Sequence, residues 1–571
     1  MIEEKINNLI KQGIESARDD GKITEFEISE ILVEHPAQEN FGDYSCAIAM
    51  KFAKIAKTNP MEIAKIIVDY LPKNNDFIKK IEIAKPGFIN FFVSEQFLVE
   101  EVNKVIIQGH KYGSSDIGKN KTVIIDYSSP NIAKSFGIGH LRSTIIGQAI
   151  YNIYKFLGWK CIGDNYLGDW GTQFGKLIYQ IKKDKILLKD LTIEKLEKLY
   201  VKFHKNAEKN LEIEQGARDW FKKLEQGDKE AKKIWQICVN ISLKEFEKIY
   251  KLLDVKIDYC FAESFYLKMS REIIDEAIDK KLVVKSEGAL IIKYPKNELP
   301  VAMLLKSDSA TTYFARNLAQ AKYRLEKYNP DLIVYEVGVD QTLFLKQLFS
   351  AVELFGWAKK EKFVHIAHGL VRWKDKKFST RKGDTIHLEQ VLNQAIVKAK
   401  KIIKNKNLSE KEKQKIAETV GIGAVKYNDL SQYHNIDIVF DWDKILNLKG
   451  NSCPYIQYTF TRCQSVLEKA KFRKAKKTKI IEFNQEENAI LRTIYKFPEI
   501  IEKAGESFSP NLICNFVFDL SQKYNAFYDK HKIIKADTIE QKEFRIALTF
   551  ATSQIIKNSL NLLGISTLKK M

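Results

Sequence analysis

An α/β fold built around a parallel sheet is what the sequence predicts, and three observations carry that expectation. Four short apolar runs, TVIID (122–126), KCIG (160–163), LIVYEVG (332–338) and FVHIAHGLV (363–371), are separated by segments of helical period. Apolar strands alternating with helices are the pattern of a parallel sheet. The stretch from about 180 to 255 is long, charged and helical, and 256–330 mixes strands with helices, so a large insertion splits the α/β unit. After about residue 390 everything reads as helix.

Taken in order, residues 1–115 form an α+β unit. Ile48, Phe52, Ile55 and Ala56 recur at helical spacing, and Lys80–Phe92 reads as a strand pair around Pro86-Gly87. Tyr112-Gly113-Ser114-Ser115 has the composition of a linker. The α/β unit spans 116–385, with its insertion at about 180–300, and 386–571 is the helical region, whose last part begins near 450. Within the unit, the first strand ends at Tyr127, and a loop bearing Pro130, Gly137 and Gly139 leads into a helix with Ile145, Ala149, Ile153 and Phe156 on one face. In the helical region KAKFRKAKKTK (469–479) carries seven cations and no acid, as a solvated inter-helix loop or a phosphate contact would.

A chain of 571 residues suggests roughly three to five domains. Hydrophobic content of 45% and charged content of 29% exclude a wholly disordered or fibrous protein. The first residues, MIEEKINNLI, lack the apolar core of a secretory signal, and no apolar run is long enough for a membrane span. The seven cysteines include no CxxC pair, which fits a reduced compartment and offers neither a zinc cage nor a disulfide framework. Lys and Arg number 93 against 73 Asp and Glu, a net charge of +20. Such an excess suits a polyanionic partner, although an AT-rich genome that writes Lys wherever the surface allows it would give the same balance.

Two loops carry the chemistry. In SSPNIAKSFGIGHLRST (128–144), a strand is followed by a glycine-bearing loop and a helix near His140. Gly137 and Gly139 let backbone approach a ligand, and the first amides of the helix face an anion. His140 stands at that positive end, and Lys134 adds a cation. The second loop, KDKKFSTRKGD (374–384), gathers Lys374, Lys376, Lys377, Arg381 and Lys382 around Ser379 and Thr380. Cations on a loop clamp a polyphosphate as charge develops, and both loops fall outside the carboxyl ends of the strands.

With these two loops in view, the chain resembles the class I aminoacyl-tRNA synthetases, and within them the arginyl-tRNA synthetase family over nearly its whole length. GIGH (137–140) stands where the class has HIGH, and KFSTR (377–381) where it has KMSKS. NYLGDWGTQFG (165–175), ATTYFARNLAQAKYR (310–324), VYEVGVDQTLFLKQLF (334–349) and GNSCPYIQYTFTR (450–462) are similar to arginyl-enzyme segments, and GDYSCAIAMKFAK (42–54) and PGFINF (86–91) to the family's opening domain. The resemblance implies a Rossmann-like catalytic domain split by an insertion, preceded by a domain that binds the tRNA elbow and followed by a helical anticodon-binding domain. It implies that L-arginine attacks Mg²⁺-ATP to give arginyl-adenylate and diphosphate, and that the 2′-hydroxyl of the terminal adenosine of tRNA(Arg) then takes the arginyl group. Catalysis would rest on His140, Lys134, Lys377 and Ser379. ATP would be held by Gly137, Gly139, His140, Lys377, Arg381 and Lys382, and arginine by Asp126, Ser128, Asn131, Tyr313, Asn317 and Gln341. In the helical region, Gln457 and Tyr458 would meet tRNA. A cytoplasmic monomer with no resident metal or organic cofactor and no membrane association is expected.

Several positions depart from the family pattern. Gly137 replaces the first histidine of HIGH, and Thr380 the second lysine of KMSKS, for which Lys134 substitutes. Asn317 stands where an aspartate should face the substrate guanidinium, and Phe344 where a histidine is expected near the adenine. His365 and His368 are spaced HxxH, but a strand puts them on opposite faces. Tyr455 and Phe460, like Tyr458, have the spacing either of core residues or of platforms for RNA bases, and Trp442 and Tyr528 read as core. Three other functions fit parts of the pattern: a synthetase for another amino acid such as glutamate or cysteine, a tRNA-binding paralogue without catalysis, and a small-molecule nucleotidyltransferase with a GxGH loop.

Overall fold

The computed structural model describes residues 2–23, 31–208, 210–373, 387–403, 408–472, 477–479 and 481–571. Its centre is a four-stranded sheet in the order Phe363–His368, Leu332–Gly338, Thr122–Asp126, Lys160–Asp164, parallel throughout. Val123, Ile124 and Ile125 are all fully buried because helices cover both faces. Val123 and Ile125 pack with Ile145 and Ala149 of helix Gly139–Phe156. Ile124 points the other way, to Phe314 and Leu318 of helix Tyr313–Tyr328, as the two-residue period of a strand requires. Strand order reverses between Thr122–Asp126 and Leu332–Gly338, which opens a crevice at their carboxyl ends.

The insertion supplies helices Thr172–Lys183, Ile193–Ala207, Leu211–Glu225 and Lys229–Leu253, then an antiparallel sheet of Val283–Ser286, Ala289–Ile292 and Ala302–Leu305. The N-terminal unit packs helices against an antiparallel sheet in the order Val33–Glu34, Tyr44–Cys46, Phe88–Val93, Ile78–Ala84. The strands flanking Pro86-Gly87 pair as the sequence predicts. The helical region runs from Glu410–Leu430 to Ile539–Leu562.

Three local expectations change. Ile55 is exposed, because helix Ile48–Ala56 buries Ile48 and Phe52 instead. Strand Ile438–Phe440 interrupts the helical region and pairs in parallel with Val371–Trp373; three residues are too few to show a period. Residues 112–115 are no free linker. Tyr112 is buried, donates to Glu101 at 2.7 Å and stacks on Phe497 at 6.1 Å. Gly113 has φ +90, and a Cβ there would meet the same Phe497 ring at 2.6 Å. Beside it the N-terminal unit grips the helical region through polar pairs. Glu499, almost fully buried, accepts from Tyr44 and lies 2.9 Å from His35 Nε2, while Asp43 pairs with Arg492.

Candidate active site

The loop after Asp126 is held in an unusual backbone path. Ser128, Ser129 and Ala133 have φ of 78°, 43° and 63°, a region costly for non-glycine residues unless neighbours fix it. Each has such a neighbour: Ser128 N donates to Ser143 Oγ at 2.8 Å, Ser129 N to Asn165 Oδ1 at 2.9 Å and Ala133 N to Ser242 Oγ at 2.8 Å. Ser242 lies on insertion helix Lys229–Leu253, so the insertion shapes the loop directly. The loop delivers the start of helix Gly139–Phe156 to the carboxyl rim of the sheet, where no side chain caps it. Nothing lies within 4 Å of the position a Cβ on Gly139 would take. An uncapped helix start facing open space is an anion site.

His140 is half-buried, edge-on to Phe136 at 5.8 Å. Burial, then His368 and Lys134, pull its pKa down to about 4, so near neutrality the ring is uncharged and offers one N–H donor. Lys134 is half-buried over the Tyr200 ring at 5.1 Å, and burial lowers its pKa against the pull of Glu197. Lys377, Ser379, Arg381 and Lys382 lie outside the described residues. The chain that follows them returns to the first loop: Gly137 forms an antiparallel bridge with His387, and Leu388 N donates to Phe136 O at 2.8 Å.

Around the amino-acid side, Asn131 is exposed and its backbone bridges to Gly168. Tyr313 is 57% exposed, with its ring 5.2 Å from Phe344. Both line a cavity of 510 Å³ with Trp170, Phe221, Met303 and Arg316. Gln341 is exposed and donates through its amide to its neighbour Asp340 at 3.1 Å. Asn317 folds back on its own helix, donating to Tyr313 O at 2.9 Å.

Two expected arginine contacts are occupied from within. Asp126 is almost fully buried and paired at 2.7 Å with Arg324, which also holds Asp164. The Ser128 hydroxyl is buried between Thr144 Oγ1 and Tyr250 OH, both at 2.8 Å. Neither side chain is presented to a ligand here, because each already has protein partners. Arg324 was not legible as a site residue. Its only sequence signal is the spacing of Asn317, Gln320 and Arg324 along one helix face. Arg142, fully buried, is equally unmarked in the sequence. Its guanidinium bonds Asp429 Oδ1, His434 O and Ile436 O at 3.1, 3.1 and 2.7 Å, tying the phosphate-loop helix to the end of helix Glu410–Leu430 and the segment after it.

In the helical region, Gln457 is fully buried and donates to Ser566 O at 2.9 Å, so its side chain does not face solvent as a tRNA contact would. Tyr458 is 46% exposed. Arg462 lies over its ring at 5.2 Å and over Tyr528 at 4.5 Å, which places Tyr528 on the surface rather than in the core. Tyr455 and Phe460 pack inward, and Trp442 is partly buried against Phe440. Thr478 of the basic run is held by Asn103 through bonds of 3.1 and 2.8 Å. His365 and His368 bond Val337 O and Glu336 separately. Among the described residues no group of three His, Cys, Asp or Glu could hold a metal ion, and no helix is long and apolar enough to cross a membrane.

Comparison with known proteins decides the family. Residues 101–442 match the model of the class I (R) tRNA synthetase catalytic domain, 4–93 the arginyl tRNA synthetase N-terminal domain, and 456–571 the DALR anticodon-binding domain. An arginine–tRNA ligase of Fusobacterium nucleatum is 42% identical over 95% of this chain and 96% of its own, and one of Halothermothrix orenii is 40% identical over both whole chains. The chain belongs to the arginine–tRNA ligase family. The solved arginyl-tRNA synthetase of Plasmodium falciparum has a TM-score of 0.81 at 25% identity, covering 100% of this chain and 99% of that one. The Thermus thermophilus enzyme, at 21% identity, shares the fold with a TM-score of 0.84 over both whole chains.

Proposed function

We infer that the chain activates L-arginine with ATP and transfers the arginyl group to tRNA(Arg). The observation that carries the reading is the helix start at Gly139 with His140 beside it, bridged through Gly137 to the residue that follows the second cation loop. This arrangement suits a reaction without a covalent enzyme intermediate, in which rate comes from positioning and from donors aimed at developing charge. Gly139 and His140 bind the α-phosphate of Mg²⁺-ATP. Lys134 adds the cation that Thr380 does not supply, and Lys377, Ser379, Arg381 and Lys382 act on the diphosphate. Asn131 and Gln341 hold the amino-acid end, Tyr313 lines the side-chain pocket, and the 2′-hydroxyl of the terminal adenosine takes the product. Tyr458 meets the anticodon arm, the N-terminal unit the tRNA elbow, and the chain works as a cytoplasmic monomer.

The test is ATP–diphosphate exchange with each of the twenty amino acids in the presence of bulk tRNA. Exchange with arginine alone is expected, and only when tRNA is present. Exchange with a different amino acid would overturn the specificity, and none with any would favour a paralogue that binds tRNA without activating.

A further inference from the structure

We propose that His368, oriented by Glu336, contacts phosphate in the activation step, donating from Nε2 to a phosphoryl oxygen of ATP beside His140. The inference rests on the functional reading above. His368 is the last residue of strand Phe363–His368, so it stands at the same carboxyl rim as the loop that leads into helix Gly139–Phe156. Its Nδ1 lies 2.9 Å from Oε1 of Glu336, a carboxylate with no exposure at all. The other oxygen of that carboxylate, Oε2, is buried and has no hydrogen-bond partner among the described residues. A buried carboxylate is stabilised by a charged partner, so Glu336 favours the protonated ring of His368, whose second N–H is then to spare. That second nitrogen is aimed at the rim: Nε2 lies 3.6 Å from the position a Cβ on Gly338 would take, at the end of the neighbouring strand. Among the described residues nothing bonds Nε2.

Electrostatics agree with the geometry. Burial works against the charged ring, but the charge and hydrogen bond of Glu336 outweigh it, and the pKa of His368 rises above its ordinary value. Arg142 opposes that rise and Asp429 supports it. The charge of His368 is, after burial, the main influence that keeps His140 neutral. The rim thus presents two imidazoles whose surroundings push their charges apart, Glu336 favouring the protonated ring at His368 and burial the neutral ring at His140. Gly137 gives the first loop no second imidazole, and a residue three strand positions past His365 supplies it from across the crevice.

The full-length chain with His368→Phe and His368→Gln tests this. Assayed well below its melting temperature, which falls because Glu336 loses its partner, His368→Phe is expected to lower the kcat of arginine-dependent exchange on the order of a hundredfold and to weaken ATP affinity in calorimetry, with tRNA affinity close to wild type. His368→Gln, which keeps an N–H donor, should retain an intermediate rate. It should also abolish the alkaline fall in rate that titration of His368 gives the wild type; Glu336, Arg142, Asp429, His140 and His365 are the titratable and charged groups around it. Wild-type rates and ATP affinity in His368→Phe would overturn the assignment. Loss of rate and melting temperature together in both variants, with the rate recovered on cooling, would make the pair a structural staple and overturn it too. If the wild type shows no arginine-dependent exchange, the functional reading fails instead, and ATP affinity alone still decides the role of His368.

Discussion

Arg324 has no exposed surface and lies between Asp126 and Asp164 at the ends of adjacent strands. Its planar guanidinium reaches both carboxylates at once, a geometry lysine cannot copy. Arg324→Met should therefore destabilise the chain by about 3–5 kcal/mol, because it leaves two buried carboxylates without a cation, and Arg324→Lys should recover only part of the loss. Urea unfolding measures this, and an unchanged midpoint would mean that the pairing is not the support described. One helical turn after Tyr313, the buried Asn317 spends its amide donor on Tyr313 O. A carboxylate at 317 cannot make that bond and would turn outward, so Asn317→Asp should lower the KM for arginine roughly tenfold through a charge-assisted pair with the guanidinium. A KM unchanged or raised would show that position 317 does not face the substrate side chain. The phosphate loop was legible at this scale because glycine, histidine and lysine announce their chemistry in sequence. The occupation of Asp126 was not, since its partner lies 198 positions away and only folding brings them together.

Among the elements, helix Glu410–Leu430 places a single lysine where three parts of the chain meet. Lys426 is buried and donates to Leu253 O at 2.7 Å, at the end of the insertion, and to Gly564 O near the C-terminus. Burial pulls its pKa down to about 8, against Asp254 and Cys453. Between pH 8 and the ordinary lysine value near 10.5, the unfolded chain binds this proton more readily than the folded one, so stability rises with pH across that window. Lys426→Met keeps the volume but orphans two carbonyls. It should cost on the order of 2–5 kcal/mol near neutrality and remove the alkaline rise. Thermal melts from pH 7 to 10 check both, and a rise that survives the substitution would assign it to another group. The four parallel strands were legible because runs buried on both faces are almost wholly apolar. Strand Ile438–Phe440 was too short to show a period, and the polar residues around Tyr112 disguised a packed joint as a linker.

At the scale of the whole molecule, the three regions are joined by buried polar contacts as well as by chain. His35 and Tyr44 meet Glu499, Asp43 meets Arg492, and Arg142 ties the phosphate-loop helix to Asp429 at the end of helix Glu410–Leu430. The order of the regions was legible from where apolar strands give way to helical period. Their contacts were not, because each needs a partner hundreds of residues away. The central claim is that this frame sets a phosphate at the start of helix Gly139–Phe156 and an arginine beside Tyr313. A crystal structure with a non-hydrolysable arginyl-adenylate analogue tests it most directly. The account predicts the phosphate within hydrogen-bond reach of His140 and the aminoacyl side chain against the Tyr313 ring, and a phosphate bound away from that helix start would contradict it.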